Sequence, residues 1–127
     1  MAEPHHQVRW LDEPEEKDYA AARSYLSLLV AAEELDALIE GLRGAPLGEW
    51  RAKDVLRAAR LPLLGPKQSE EVAEKLAKVR AKEALSPILI VARGPRRRVQ
   101  IADGYHRTCA AYLAHEDTFV PGRILFA

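Results

Sequence analysis

Apolar residues recur at helical spacing through the first two thirds of the chain. The predicted helices span residues 19–30, 33–42, 50–60 and 67–82. Asp18 stands where the first helix would take its N-terminal cap. The stripe of Val72, Leu76 and Val79 in the last helix is the clearest amphipathic pattern. The sequence at Ala31 leaves open whether the first two helices are one long helix or a broken pair.

The pattern changes after Pro87. A continuous apolar run at 88–92, rich in branched side chains, predicts a strand buried on both faces. A turn follows at 93–96, and then Val99 and Ile101 alternate with polar neighbours, which predicts a partner strand. A helix at 105–115 and a last strand at 120–126, whose Pro121 and Gly122 predict a start at a sheet edge, complete the predicted elements.

This order of elements, several helices and then strand, strand, helix and strand, predicts an α+β fold with a small mixed sheet and packed helices. We divide the chain into an N-terminal arm with a helical extension, residues 1–49, and an α+β core, residues 50–127. The division falls at the glycine- and proline-containing stretch 44–48. Val8 and Trp10 are expected to pin the arm to the body.

Composition narrows the class of protein. At 127 residues and 48% hydrophobic, the chain is long enough for one domain with a real core. It has no apolar run of transmembrane length and no signal-peptide pattern, so we expect a cytoplasmic protein with no membrane partner. One cysteine, Cys109, excludes an internal disulfide, and with four scattered histidines it does not form a structural zinc site.

The net charge of zero is unevenly distributed. Residues 1–50 hold 4 Lys/Arg and 11 Asp/Glu, whereas residues 51–127 hold 15 Lys/Arg and 8 Asp/Glu. Two interpretations remain open at this point. The basic half meets a polyanion, or the acidic half docks on the basic half of the same chain.

The most informative stretch is 101–107, Ile-Ala-Asp-Gly-Tyr-His-Arg, which reads as a buried strand turning on a glycine into a helix. Gly104 allows a tight turn and a close approach of ligand, and the first N–H groups of the helix form an anion site. Arg107 has a guanidinium fork that suits phosphate. A helix cap for Asp103 and an ion pair for Arg107 explain the same residues without a ligand.

These residues, with Leu85-Ser-Pro-Ile-Leu-Ile-Val before them and Val-Pro-Gly-Arg-Ile after them, resemble the core of the ParB/sulfiredoxin superfamily over about residues 60–127. In that superfamily a strand ends in a Gly-x-x-Arg or Gly-x-His-Arg turn that holds nucleotide phosphates. The resemblance implies a phosphate site at Gly104, Tyr105, His106 and Arg107, assisted by Lys67 before the preceding helix.

Two departures limit what the resemblance implies. The catalytic cysteine of sulfiredoxin falls on Tyr105, so sulfinic acid repair is not expected. Cys109, one turn later, is expected to be a small buried residue rather than a nucleophile. ParB proteins also carry a helix-turn-helix module after this core, and none follows here, so we do not expect sequence-specific DNA binding.

The sequence therefore supports three possible functions, which we rank in this order. The first is a stand-alone domain that binds a nucleotide or another phosphate ligand at 103–107, with a nucleoside triphosphate and Mg²⁺ as the implied cofactors. Any phosphoryl transfer or hydrolysis there would use His106 or Asp103, and Asp103 is also the candidate ligand for a metal. The second is an inert interaction module that forms a homodimer through the N-terminal helices. The third is a nucleic-acid-binding protein that uses the arginines at 96–98 and the basic helix at 50–60.

Overall fold

The structure, a computed structural model, describes residues 7–94 and 98–127. It is an α+β fold, as the sequence predicts. The helices of the described ranges are α1 (Glu16–Leu26), α2 (Ala32–Gly44), α3 (Ala52–Ala59), α4 (Glu70–Arg80) and α5 (Tyr105–Ala114). The strands are β1 (Arg9–Trp10), β2 (Leu47–Arg51), β3 (Ala84–Leu85), β4 (Ile88–Arg93), β5 (Arg98–Asp103) and β6 (Phe119–Phe126).

The main sheet has four strands in the order β2-β6-β4-β5. β4 runs parallel to β6 and antiparallel to β5, and β2 runs antiparallel to β6, so the sheet is mixed. A separate two-stranded parallel pair, β1 with β3, attaches the N-terminal segment, as expected for Trp10. Within the sheet, β5 is an end strand that follows the interior strand β4.

Helices cover both faces of the main sheet. Successive side chains of β4 point to opposite faces, so alternate residues of this strand pack against different helices. Ile88 and Ile90 pack in one cluster with residues of α3, α4 and α5. Leu89 and Val91 pack in a second cluster with residues of α1 and α2. The prediction of a strand buried on both faces is confirmed. Each of these side chains is almost fully buried, which stabilises the fold by about 1.5–3 kcal/mol per side chain.

The N-terminal helices differ from their predicted limits. α1 begins at Glu16 and ends at Leu26, so Asp18 lies in its first turn rather than at its cap. The predicted N-cap position is wrong, because Glu15 is the N-cap. Asp18 still helps to cap α1 as the third helical residue of a capping box, in which its Oδ2 accepts a hydrogen bond from the backbone N–H of Glu15 at 2.8 Å. α1 and α2 are a broken pair, since the helical pattern stops between Leu26 and Ala32.

Two further boundaries move for local reasons. α4 begins at Glu70 rather than at residue 67, because the Ser69 Oγ accepts a hydrogen bond from the Val72 N–H at 3.2 Å and caps the helix. The predicted helix at 50–60 is shorter, since Trp50 and Arg51 belong to β2.

Strand β2 was not predicted, and it changes the position of β6. Because β2 pairs with β6 from Leu47↔Arg123 to Arg51↔Phe119, β6 lies inside the sheet. The predicted edge start at Pro121 is therefore wrong. β2 also crosses the division that we placed between residues 49 and 50, and α1 and α2 pack directly on the sheet of the core.

The predicted turn at 93–96 and the arginine run at 96–98 lie partly outside the described residues, which here resume at Arg98. Gly94, the last residue before this gap, has φ +81°. Among the described residues, no helix is long and apolar enough to cross a membrane.

Candidate functional site

The turn at Gly104 joins β5 to α5 and has a backbone that favours glycine. β5 ends at Asp103, Gly104 has φ +115° and ψ +15°, and α5 begins at the next residue. A Cβ atom on Gly104 would lie 2.3 Å from the Ile88 Cγ2. Both the left-handed backbone and the contact with Ile88 therefore exclude a larger residue.

The first turn of α5 has no side-chain cap. Gly104 has no side chain to offer, and the first turn contains no acidic residue. Thr108 closes the turn from the other direction, with its N–H and its hydroxyl donating to the Gly104 carbonyl at 3.0 and 2.8 Å. The start of α5 thus keeps the positive end of the helix dipole without a protein carboxylate placed on it as a cap.

Arg107 points away from this helix start and into the protein. It is 8% exposed, and its Nη2 donates to the Asp103 Oδ2 at 3.0 Å and to the Pro87 carbonyl at 3.2 Å. Its Nη1 lies 3.7 Å from the Asp18 Oδ1 of α1. The Arg107 Nε is buried and has no partner among the described residues. We call Asp18, Asp103 and Arg107 the buried ion cluster.

The buried ion cluster holds two carboxyl groups against one guanidinium. Burial raises the pKa of the Asp103 carboxyl, Arg107 opposes that shift, and the neighbouring Asp18 adds to it. Lys75 of α4 lies near the same cluster. Burial lowers the pKa of its ammonium group most, Lys78 lowers it next, and Arg107 and Lys17 lower it more weakly. The Asp103 carboxyl group is therefore easier to protonate than an exposed aspartate.

A groove of about 470 Å³ opens on the other side of the turn. Its lining consists of residues 98–106 without interruption, together with Tyr25, Ala59 and Leu61. It follows β5 from end to end and terminates at the first residues of α5. This volume is within the range of ligand sites in proteins, about 300–1,000 Å³.

Two aromatic rings shape the helix end of the groove. The Tyr105 hydroxyl donates to the Pro62 carbonyl at 2.5 Å, and its ring stacks on His106 with centroids 5.4 Å apart. His106 also lies near the start of α4. A backbone hydrogen bond, the Ser69 hydroxyl and then His106 lower the pKa of the Glu71 carboxyl. His106 is therefore a partly exposed side chain that lines the groove beside Tyr105.

The structure brings together most of the predicted site residues. Asp103, Gly104, Tyr105 and His106 all line the groove. Arg107 does not line it, and Lys67 lies exposed in the turn before α4, outside the groove lining. Asp103 does not cap α5, since its carboxylate accepts from Arg107 instead.

Outside the groove, the candidate groups are metal ligands, the Cys109 thiol and the cations of α3. Among residues 7–94 and 98–127, no group of three or more histidine, cysteine or acidic side chains is placed to hold a metal ion. Cys109 is fully buried between α3, α4 and α5, and burial raises the pKa of its thiol. In α3 the cations are partnered, with Lys53 Nζ at 3.6 Å from the Asp117 Oδ1 and Arg57 Nη2 at 2.9 Å from the Asp54 Oδ1.

The sequence interpretation missed two residues of this region. The sequence pattern predicts only a capping role for Asp18, yet this residue falls in register with Ala22 and Leu26 on the buried stripe of α1. A carboxylate on an apolar stripe requires a buried partner, and this signal was available. Tyr25, which lines the groove from the end of α1, had no comparable signal, because its neighbours on the groove come from distant parts of the chain.

The chain was compared with protein-family models, with curated proteins and with solved structures, and no match was found.

Proposed function

We propose that this protein binds a nucleotide or another phosphate-bearing ligand in the groove, with the phosphate at the start of α5. One observation carries the proposal. A groove of about 470 Å³ ends on a helix N-terminus that no side chain caps, and His106 lies beside it. Free N–H groups at a helix start, aligned with its dipole, are a recurrent phosphate site in proteins.

We assign some residues of this region to contact with the ligand and others to support of the turn. Backbone N–H groups at the start of α5 and the His106 ring would hold the phosphate, while Arg98, at the opposite end of β5, would offer a second cationic contact. Arg107 is occupied by Asp103, Asp18 and the Pro87 carbonyl, so we assign it to the support of the turn. Lys67 remains a predicted auxiliary contact.

The assignment to a ParB/sulfiredoxin-like domain is part of the same proposal. The order α4, β4, β5, α5 and β6, with the Gly-Tyr-His-Arg turn between β5 and α5, supports it. If the bound ligand is a nucleoside triphosphate, catalysis would rest on positioning and charge stabilisation, with His106 and Asp103 as the ionisable groups in the groove.

Calorimetric titration with nucleoside triphosphates and inorganic pyrophosphate, each with and without Mg²⁺, tests the proposal. We expect saturable binding by the wild type and a loss of about tenfold in affinity for His106→Gln, which corresponds to one charge-assisted hydrogen bond. Arg57→Gln removes an exposed cation that does not line the groove and serves as the control. The absence of saturable binding for every phosphate compound, phosphopeptides included, would contradict the proposed function.

A further inference from the structure

β5 is the end strand of the main sheet, and the groove runs along its free edge. In the order β2-β6-β4-β5, β4 pairs with one side of β5 and no described strand pairs with the other. Among the described residues, no backbone hydrogen bond from a turn, loop or cap reaches residues 98–103. Within residues 7–94 and 98–127, the main-chain N–H and C=O groups on the outer side of β5 therefore have no backbone partner.

Proteins usually blunt or cover such an edge, because unpaired strand groups attract other strands. Here the edge is open but bounded. Tyr25 at the end of α1 lines one side of the groove, and Ala59 and Leu61 at the end of α3 line the other. The pairing of β5 with β4 shifts register at Ala102, so the regular part of the edge is Arg98–Ile101. At about 3.3 Å per residue this edge measures about 13 Å, which matches an extended peptide of about four residues.

The charges along the edge indicate which kind of peptide fits. Arg98 stands exposed at one end, and the α5 N-terminus with His106 stands at the other. The intervening Val99, Gln100 and Ile101 carry no charge, and the one acidic side chain on the strand, Asp103, accepts a hydrogen bond from Arg107. An apolar extended segment with an anionic group at the α5 end complements this distribution.

We propose that the ligand of the groove is an extended peptide segment with a phosphorylated side chain, which adds to the free edge of β5 and places its phosphate at the start of α5. This inference rests on the proposed phosphate site and narrows its ligand class. A nucleotide would occupy the turn but would leave the repeating main-chain groups of β5 unpaired. Strand addition pairs them, and side chains of alternate peptide residues enter the groove.

The test uses the full chain and a library of nine-residue peptides with phosphoserine fixed at the central position. The same library with unphosphorylated serine, a set of nucleoside triphosphates and inorganic phosphate form the other arms. Binding is followed by fluorescence polarisation, and hydrogen exchange of the β5 amides reports strand addition. We expect phosphopeptides to bind at least tenfold more tightly than their unphosphorylated forms and to slow exchange of alternate β5 amides.

His106→Gln and Arg57→Gln provide a matched pair of variants. Both remove a side chain that can carry positive charge, but His106 lines the groove at the start of α5 and Arg57 does not line it. We expect the first to weaken phosphopeptide binding at least tenfold and the second to leave it within twofold of the wild type. Circular dichroism confirms that both variants are folded.

The following results would contradict the proposal that a phosphorylated peptide adds to β5. Binding of nucleotides without phosphopeptide binding, or phosphopeptide binding without protection of β5, overturns it and leaves the proposed function standing. Equal binding of phosphorylated and unphosphorylated peptides overturns the phosphate requirement. Protection of β5 in the protein alone, with a dimer by light scattering, shows that a second copy occupies the edge and overturns it. No binding in any arm overturns both proposals.

Discussion

His106 and Arg107 are neighbours in the same turn of α5, yet they belong to opposite environments. His106 lines an open groove of about 470 Å³ and lies near exposed Glu71. Arg107 is 8% exposed and donates to one carboxylate and one carbonyl in the interior. The difference follows from helix geometry, because consecutive residues of an α-helix are turned about 100° apart.

The consecutive residues of the Gly-Tyr-His-Arg motif have two different roles, ligand contact and support of the turn. One side of the turn faces a groove and supplies candidate ligand contacts. The other side supports the turn, since Arg107 connects β5 through Asp103, the segment before β4 through Pro87, and α1 through Asp18. Substitutions on the two sides should therefore affect different quantities, ligand affinity on one side and folding stability on the other.

Removing Arg107 should have the largest effect on stability. Arg107→Ala leaves Asp18 buried and Asp103 partly buried without their cation, and loss of one partner of a buried ion pair costs about 3–5 kcal/mol. Urea unfolding followed by circular dichroism measures the free energy of unfolding. Arg57→Ala, which breaks an exposed pair with Asp54, is the control and should change stability by about 0.5 kcal/mol or less. A change below 1 kcal/mol for Arg107→Ala would contradict a supporting role for the buried ion cluster.

Gly104→Ala should have the next largest effect. The substitution places a Cβ atom 2.3 Å from the Ile88 Cγ2, at a residue with φ +115°. Backbone strain and overpacking each cost about 1–3 kcal/mol, so we expect a loss of at least about 2 kcal/mol in urea unfolding. Gly44→Ala is the matched control, because a Cβ atom there meets no atom within 4 Å, and its effect should stay within about 1 kcal/mol. Equal effects of the two substitutions would show that the turn tolerates a side chain.

The sequence predicted the part of the fold whose signals are local. The apolar run of β4, the stripe of α4 and the glycine before α5 each carry their own pattern over a few residues. Strand β2 has no such pattern. It alternates between half-buried and exposed positions, contains Gly48, and becomes a strand through pairing with β6 far along the chain.

The candidate site was predictable to the same extent. Its turn is visible in the sequence, and an ion pair is one of the two sequence interpretations of Arg107. The choice between ion pair and ligand contact depends on a tertiary contact with Asp18, from a helix much earlier in the chain. The groove likewise depends on α1 and α3 flanking β5, which is a tertiary property. Sequence reasoning therefore located the motif and could not divide its residues between contact and support.

The pH dependence of the free energy of unfolding should report the protonation of the Asp103 carboxyl group. Burial raises its folded-state pKa above the unfolded value, so the folded state binds more protons. Its contribution to stability is fully present below the unfolded pKa of about 3.9 and is lost as the pH rises through the folded pKa. Asp103→Asn should abolish this loss while keeping an oxygen to accept from Arg107. Urea unfolding between about pH 3.5 and 7 measures both profiles, with Asp12→Asn as a control for removing one exposed charge. Parallel profiles for the wild type and Asp103→Asn would contradict the raised pKa.

Substitutions on the groove side should have the smallest effect on stability. Arg98→Gln and His106→Gln remove an exposed and a partly exposed side chain, and such changes usually alter the free energy of unfolding by about 0.5 kcal/mol or less. Their effect belongs instead to affinity. His106→Gln should weaken pyrophosphate binding by about tenfold, whereas Arg98→Gln, at the opposite end of β5, should leave the affinity for this small ligand unchanged. Thermal unfolding with and without inorganic pyrophosphate measures both quantities in one series, because a ligand of the folded state raises its Tm. A loss of about 2 kcal/mol or more for either variant without ligand would place that residue with Arg107 in the support of the turn, and the division between the two sides of α5 would fail.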